Sequence, residues 1–253
     1  MNRWVLWMFS LGVSLQALAD DPSARDLVRS ALDHWRGVSS YAEMTMTIER
    51  SDWTRTLGMR AWTRGDKLSL VRVIDPPRDA GNGTLLRGHE MWTFSPKVNR
   101  IIKIPSAMMN QSWMGSDLSN KDIARSSDIV DQYRHRLLSR EAVDGHQLYW
   151  VESIPLESAA VVWGRERLAI RDDYVLMEHQ FWDQDDELVK TLTTLKVETF
   201  DGREVASLQR MVNTESPDEW TEIRVLRARY DVPLEAYLFT HSNLRNPREQ
   251  PLP

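Results

Sequence analysis

The chain has 253 residues, 42% of them hydrophobic, and a formal net charge of −5 with Lys, Arg, Asp and Glu interleaved along it. That balance lacks the basic stripe a nucleic-acid binder needs, so nucleic acid is excluded as a partner. A sequence without cysteine has no disulfide, no thiolate chemistry and no cysteine to carry a lipid anchor, and at this length a single core can bury about 70 to 75% of the unfolded surface without such staples.

Residues 1–19 begin with one basic residue, Arg3, continue as an apolar run from Trp4 to Leu15 and end in Ala17-Leu18-Ala19 before Asp20. This is the layout of a secretory signal with an A-x-A cleavage site, and the run is too short to span a membrane. The expected organisation is a signal peptide at 1–19, one domain at 20–245 and a flexible tail at 246–253, in a soluble, exported protein. Ala24, Leu27, Val28, Ala31, Leu32 and Trp35 then recur at helical spacing, with Pro22 expected at the first helical position and Gly37 past the end.

From Tyr41 the period changes to two. Alternating segments follow at short spacing, separated by turn formers such as Gly65-Asp66, Pro76-Pro77, Gly81-Asn82-Gly83 and Ser95-Pro96. They resume at Tyr133 after a break and run to Tyr230. The pattern predicts a mainly β chain of about ten or eleven antiparallel strands, curved into an incompletely closed barrel with the helical segments over its open side.

The break is the organising stretch. Between Pro105 and Asp117 it carries Met108, Met109, Trp113 and Met114 among small polar residues, and Ser119-Asn120-Lys121-Asp122 fits a capping box. Methionine and tryptophan pack adaptably against irregular apolar partners, which suits either the mouth of a ligand site or the closing of one end of the sheet as plain core. On consecutive strands Met44, Met46, Leu57, Met59, Leu68 and Leu70 are expected to face inward, with Trp92 near a strand margin. A concave sheet so lined can hold acyl chains, and the same residues can also form a dry core.

No catalytic constellation emerges. His89-Glu90 lacks the second histidine of a zinc-binding helix, and Gly81-Asn82-Gly83 lacks the rest of a dinucleotide fingerprint. Gly115-Ser116-Asp117 is no nucleophile elbow. The acidic run 183–187 lacks the spacing of a calcium loop. The reading is a non-enzyme with no metal and no cofactor, its six histidines being ordinary surface or turn residues.

Residues 84–96 (Thr-Leu-Leu-Arg-Gly-His-Glu-Met-Trp-Thr-Phe-Ser-Pro), Arg100-Ile101-Ile102-Lys103-Ile104, and Gln111-Ser112-Trp113-Met114-Gly115-Ser116-Asp117-Leu118-Ser119 resemble the outer-membrane lipoprotein-sorting proteins, a branch of the periplasmic lipoprotein-carrier superfamily. The resemblance implies a half-open barrel with a helical lid, a periplasmic location and a hydrophobic cavity for a lipid or an acylated lipoprotein. It also implies an inner-membrane ABC or RND-type transporter or permease as a partner. Arg64 is the nearest counterpart of the family's lid-latching arginine. The expected function is a carrier or chaperone that passes acyl chains between envelope components, the cavity and its mouth being formed by Met44, Met46, Leu57, Met59, Leu68, Leu70, Trp92, Met108, Met109, Trp113 and Met114. The alternatives are an envelope sensor or adaptor that signals to a membrane transporter, and an accessory subunit with a filled core.

Overall fold

The computed structural model describes residues 22–124, 128–159, 161–248 and 250, so the signal peptide expected at 1–19 lies outside the described residues. Helix α1 (Ala24–Arg36) starts at Ser23 rather than at Pro22, because the Ser23 hydroxyl accepts the Asp26 N–H at 3.1 Å. It stops where Gly37, at φ 63°, returns its N–H to the Asp33 carbonyl at 2.8 Å. Leu27, Val28 and Ala31 form its buried stripe.

Strands β1 (Ser39–Glu49), β2 (Thr54–Arg64), β3 (Leu68–Asp75), β4 (Gly83–Arg87), β5 (Glu90–Ser95) and β6 (Arg100–Lys103) meander outward to one edge of the sheet. A crossover, 104–132, containing the short helices α2 (Asn120–Ala124) and α3 (Asp128–Gln132), carries the chain to the opposite edge. There β7 (Tyr133–Val143), β8 (His146–Pro155), β9 (Arg165–Arg171), β10 (Leu176–Trp182), β11 (Leu188–Phe200), β12 (Arg203–Asn213) and β13 (Ser216–Tyr230) meander back, and β13 pairs with β1. Among the described residues the single antiparallel sheet has thirteen strands, more than the ten or eleven expected, and it is not closed, since β6 and β7 do not pair.

Met91 on β5 and Phe181 on β10 belong to one apolar cluster, although eight strand spacings separate them in the sheet order. A flat sheet would hold them about 38 Å apart. The sheet therefore curls, with this face inside. Register shifts at Gly58/Met59, Leu137/Ser139, Leu176/Glu178 and Thr194/Lys196 are β-bulges, each adding local bend and twist.

The inner face carries Met46, Leu57, Met59, Val73, Leu86 and Met211, covered by Met109, Trp113 and Leu118 of the crossover. Beside them α1 and α3 pack on Tyr133, Val151, Leu168 and Ile170. The outer face carries Trp62, Leu70, Leu85 and Phe94, covered after β13 by Val232, Leu234, Leu238, Phe239 and Leu244, the last of these on helix α4 (His241–Arg245). A Cβ on Gly83 would lie 2.9 Å from Leu244 Cδ1, so a larger residue there requires the Leu244 side chain to shift. The expected tail is fastened in part: Arg248 N–H donates to Asn243 Oδ1 at 2.8 Å and Gln250 Nε2 to the Pro233 carbonyl at 2.6 Å.

Candidate ligand cavity

Between α1, the crossover and strands β9 to β12, the inner face does not fill, and a cavity of about 330 Å³ remains. Ala31, Leu32 and Trp35 of α1 roof it, Leu118, Ile123 and Ala124 of the crossover wall it, and Leu168, Phe181, Leu192 and Met211 floor it. Trp35 and Tyr174 both line the cavity and are 37% and 41% exposed, which marks where it reaches solvent.

The lining is polar in several places, among them Asp66, Lys121, Asp122, Asp128 and Gln209, and one polar group is well buried. Glu166, only 5% exposed, is bonded by His179 Nε2 at 2.7 Å, and the His179 ring stacks on Phe181 with centroids 4.1 Å apart. The Tyr133 phenol joins this pair. Burial first, and then the charge of Glu166 and a hydrogen bond to it, hold the phenol well above its usual pKa.

The crossover wall is fastened by charge. Ser119 Oγ accepts the Asp122 N–H at 3.1 Å while Asp122 Oδ2 accepts the Ser119 N–H at 2.8 Å, the reciprocal pair of a capping box. The same Asp122 oxygen receives Lys190 Nζ at 2.6 Å, from a lysine buried between the Trp163 and Phe181 rings. Asp117 accepts bonds from Arg50 Nη2 (3.1 Å), Asn213 Nδ2 (2.7 Å) and Thr221 Oγ1 (2.6 Å). Trp113 Nε1 donates to Thr84 Oγ1 at 3.1 Å. Beyond the wall lies a second, more polar pocket of about 290 Å³ that includes Ser112, Asp117, Lys190 and Asn213, and Leu118, Lys121 and Trp163 line both spaces. The crossover thus partitions the interior of the half-barrel.

Of the residues singled out from the sequence, Leu68 lines the cavity. Met44, Met46, Leu57 and Met59 do face inward, but they pack in the main cluster with Met109 and Trp113 and are not part of the cavity lining. Met109 and Trp113 are buried core residues rather than a mouth. Met114 packs partly on the same cluster, at φ 54° in the turn before Gly115, and Met108 is 38% exposed. Leu70 and Trp92 belong to the outer face. Strand β3 reads Leu-Ser-Leu-Val-Arg-Val-Ile, apolar at both parities because both its faces are covered, so alternation alone does not say which leucines point inward. Arg64 donates to the Leu234 carbonyl at 3.2 Å and sits 5.3 Å from the Phe239 ring centroid, so it secures the C-terminal segment to the outer face.

The sequence does not single out Glu166 or Tyr133, and His179, expected to be an ordinary surface or turn residue, is instead a largely covered strand residue paired with Glu166. A signal was present: Glu166 shares its strand parity with Leu168 and Ile170, and an acid in an apolar row needs a partner. Among the described residues His146, Asp173 and Glu204 approach within metal-ligand reach, but Arg171 already bonds both carboxylates.

One protein-family model, described as "uncharacterized protein", matches residues 65–246. No curated protein matches the chain. A crystal structure of a DUF1329 family protein from Desulfovibrio piger is 28% identical, with 87% of this chain and 97% of that one covered at a TM-score of 0.78. A domain designated an outer membrane lipoprotein-sorting protein, from Vibrio parahaemolyticus, is 22% identical over 88% and 98% at 0.76. A LolA superfamily protein from Nitrosomonas europaea is 18% identical over 88% and 99% at 0.71. The chain belongs to the family whose model spans residues 65–246, and its fold is the half-open β-barrel of the lipoprotein-sorting and LolA-superfamily structures.

Proposed function

We propose that this protein is a periplasmic carrier or chaperone that holds the acyl chains of a lipid or lipoprotein in the cavity beneath α1 and passes them between envelope components without catalysis. The observation that carries this reading is the largely apolar space left open on the inner face of the sheet beneath α1. Each methylene buried there contributes about 0.8 kcal/mol, so a long chain is retained once water is displaced. The signal-like layout of residues 1–19 supports export, and among the described residues no helix is long and apolar enough to cross a membrane.

Ligand exit needs a wall that yields. The crossover is fixed by the buried partners of Asp117 and Asp122, whereas α1 is tied to α3 through exposed pairs, Arg25 and Arg29 with Asp131. Exposed pairs contribute about 0 to 1 kcal/mol and breaking buried ones costs about 3 to 5, so the charged fastening of α1 is the weaker one, and its hold on the sheet rests mainly on the buried Leu27, Val28 and Ala31. An inner-membrane ABC or RND-type transporter or permease is the partner expected to exploit that difference. The test is native mass spectrometry of protein purified gently from the periplasm, with organic extraction of what stays bound. Acyl-containing adducts that transfer to liposomes are the expected result. A clean unliganded mass, with no uptake of a fluorescent acyl probe, would overturn the proposal.

A further inference from the structure

We infer that Glu166, His179 and Tyr133 form a recognition site for a hydroxyl group, so that the preferred ligand is a neutral amphiphile whose alcohol end is buried inside the cavity and whose apolar body fills the remainder. This rests on the reading of the cavity as a ligand site.

The lining near the three residues includes hydrocarbon, Leu168, Ile129 and Phe181 on the strands and helix nearby and Leu32 in the roof, together with the carboxylates of Asp122 and Asp128. A carboxylate 5% exposed in such surroundings carries a large desolvation cost unless its lone pairs are used. His179 Nε2 serves one of roughly four acceptor positions, and the Tyr133 phenol lies beside the same carboxylate. The remaining capacity belongs to a side chain that lines the cavity, so a donor arriving there is bonded by an acceptor already desolvated and fixed in place. The Tyr133 hydroxyl lines the same cavity and offers both a donor and acceptor capacity.

A donor-and-acceptor cluster of this kind sorts ligand end groups by chemistry. An alcohol donates its O–H to Glu166, can accept in return, and brings no charge into the apolar space. A fatty carboxylate sets a second negative charge beside Glu166. A protonated amine pairs with Glu166 but accepts no bond and must leave water with its charge. An ether fits the same space and accepts, yet has no proton to give, which leaves the carboxylate unsatisfied. Acyl chains entering methyl-end first would leave the whole cluster unused, so the alcohol accounts for residues that a simple acyl slot does not need.

The experiment displaces Nile red from the purified protein with 1-dodecanol, dodecyl methyl ether, dodecanoate or dodecylamine. The alcohol is expected to displace the dye at concentrations about tenfold or more below the ether and the carboxylate, as befits a hydrogen bond to a charged group. Glu166→Gln and Tyr133→Phe should each reduce that preference while the ether still binds, with circular dichroism reporting the fold. Equal displacement by alcohol and ether in the unsubstituted protein overturns the hydroxyl site alone, and so does a preference that survives Glu166→Gln. If Nile red and all four compounds fail to bind, the cavity is not a ligand site and the carrier reading falls with this one. The alcohol-to-ether ratio of the unsubstituted protein decides the matter even if a variant does not fold.

Discussion

On the outer face of the sheet the C-terminal segment buries Val232, Leu234, Leu238, Phe239 and Leu244 against Trp62, Leu70, Leu85 and Phe94, whereas on the inner face the crossover is held by Asp117 and Asp122 to Arg50, Lys190, Asn213 and Thr221. Apolar burial is non-directional and rewards filling every space. A bonded carboxylate is directional and fixes a segment at a few points, whatever lies alongside. The outer covering is mainly apolar, with Arg64 and Arg72 adding bonds to backbone carbonyls, while the inner one leaves a cavity on one side and a polar pocket on the other.

Asp117→Ala should have the largest effect, about 3 to 5 kcal/mol in urea unfolding, because it leaves the half-buried Arg50 guanidinium and the Asn213 and Thr221 groups without their shared acceptor. A loss below 1 kcal/mol would show that apolar contact alone seats the crossover, and would erase the contrast between the faces. Leu238→Ala, on the outer face, is expected to cost about 2 to 5 kcal/mol and to leave Nile red uptake unchanged, since the cavity lies across the sheet. A change in uptake would mean that the two faces are coupled. Gly83→Ala sharpens the same point at smaller scale. Its Cβ meets Leu244 Cδ1 at 2.9 Å, and lifting α4 should cost about 1 to 3 kcal/mol by the same assay.

The mildest effect is one of pH. Burial lowers the pKa of His135 from its ordinary 6.5, against the opposing hydrogen bond to the Val130 carbonyl. The unfolded chain then takes up the proton more readily than the folded one. Stability is thus complete above about 6.5 and declines as pH falls below it. His135→Asn should flatten that decline in a thermal-melt series. Glu152 acts further down the scale: burial raises its pKa, but the bonds from Arg136 and Arg167 outweigh this and hold it below the ordinary 4.5. Its contribution is lost only as pH falls through that lower value.

The alternation of Met46 with Ile48, matched by Leu57 and Met59 on the next strand, was enough to read the sheet, because one side of each strand is sealed and the other less so. Punctuation by turn residues placed the strand ends, and Ser119 with Asp122 announced α2 before any geometry was known. The cavity was far less legible. Its lining comes from α1, the crossover, α3 and strands β2 to β4, β7 and β9 to β12, and no local period reports that segments so distant in sequence meet. The methionine and tryptophan stretch drew attention for its composition, yet composition does not distinguish a residue that greets a ligand from one that seats a plug, and Trp113 does the second. Glu166 and His179 are ordinary strand residues until the pairing of β9 with β10 sets them side by side.

The seam between β1 and β13 joins the first strand to the last, pairing Met44 with Val225 and Ser40 with Tyr230. Every other strand pairs with a near neighbour in sequence. The two meanders are therefore local structures that form early and cheaply, while the seam must close nearly the full length of the chain. A chain emerging from its amino end presents β1 with one edge bare until β13 arrives. The curl, and with it the interior space, is completed by the last strand to appear. Truncation within 216–230 would consequently strike the entire half-barrel rather than its end, and until that strand docks the exposed β1 edge is the place where two nascent chains would meet.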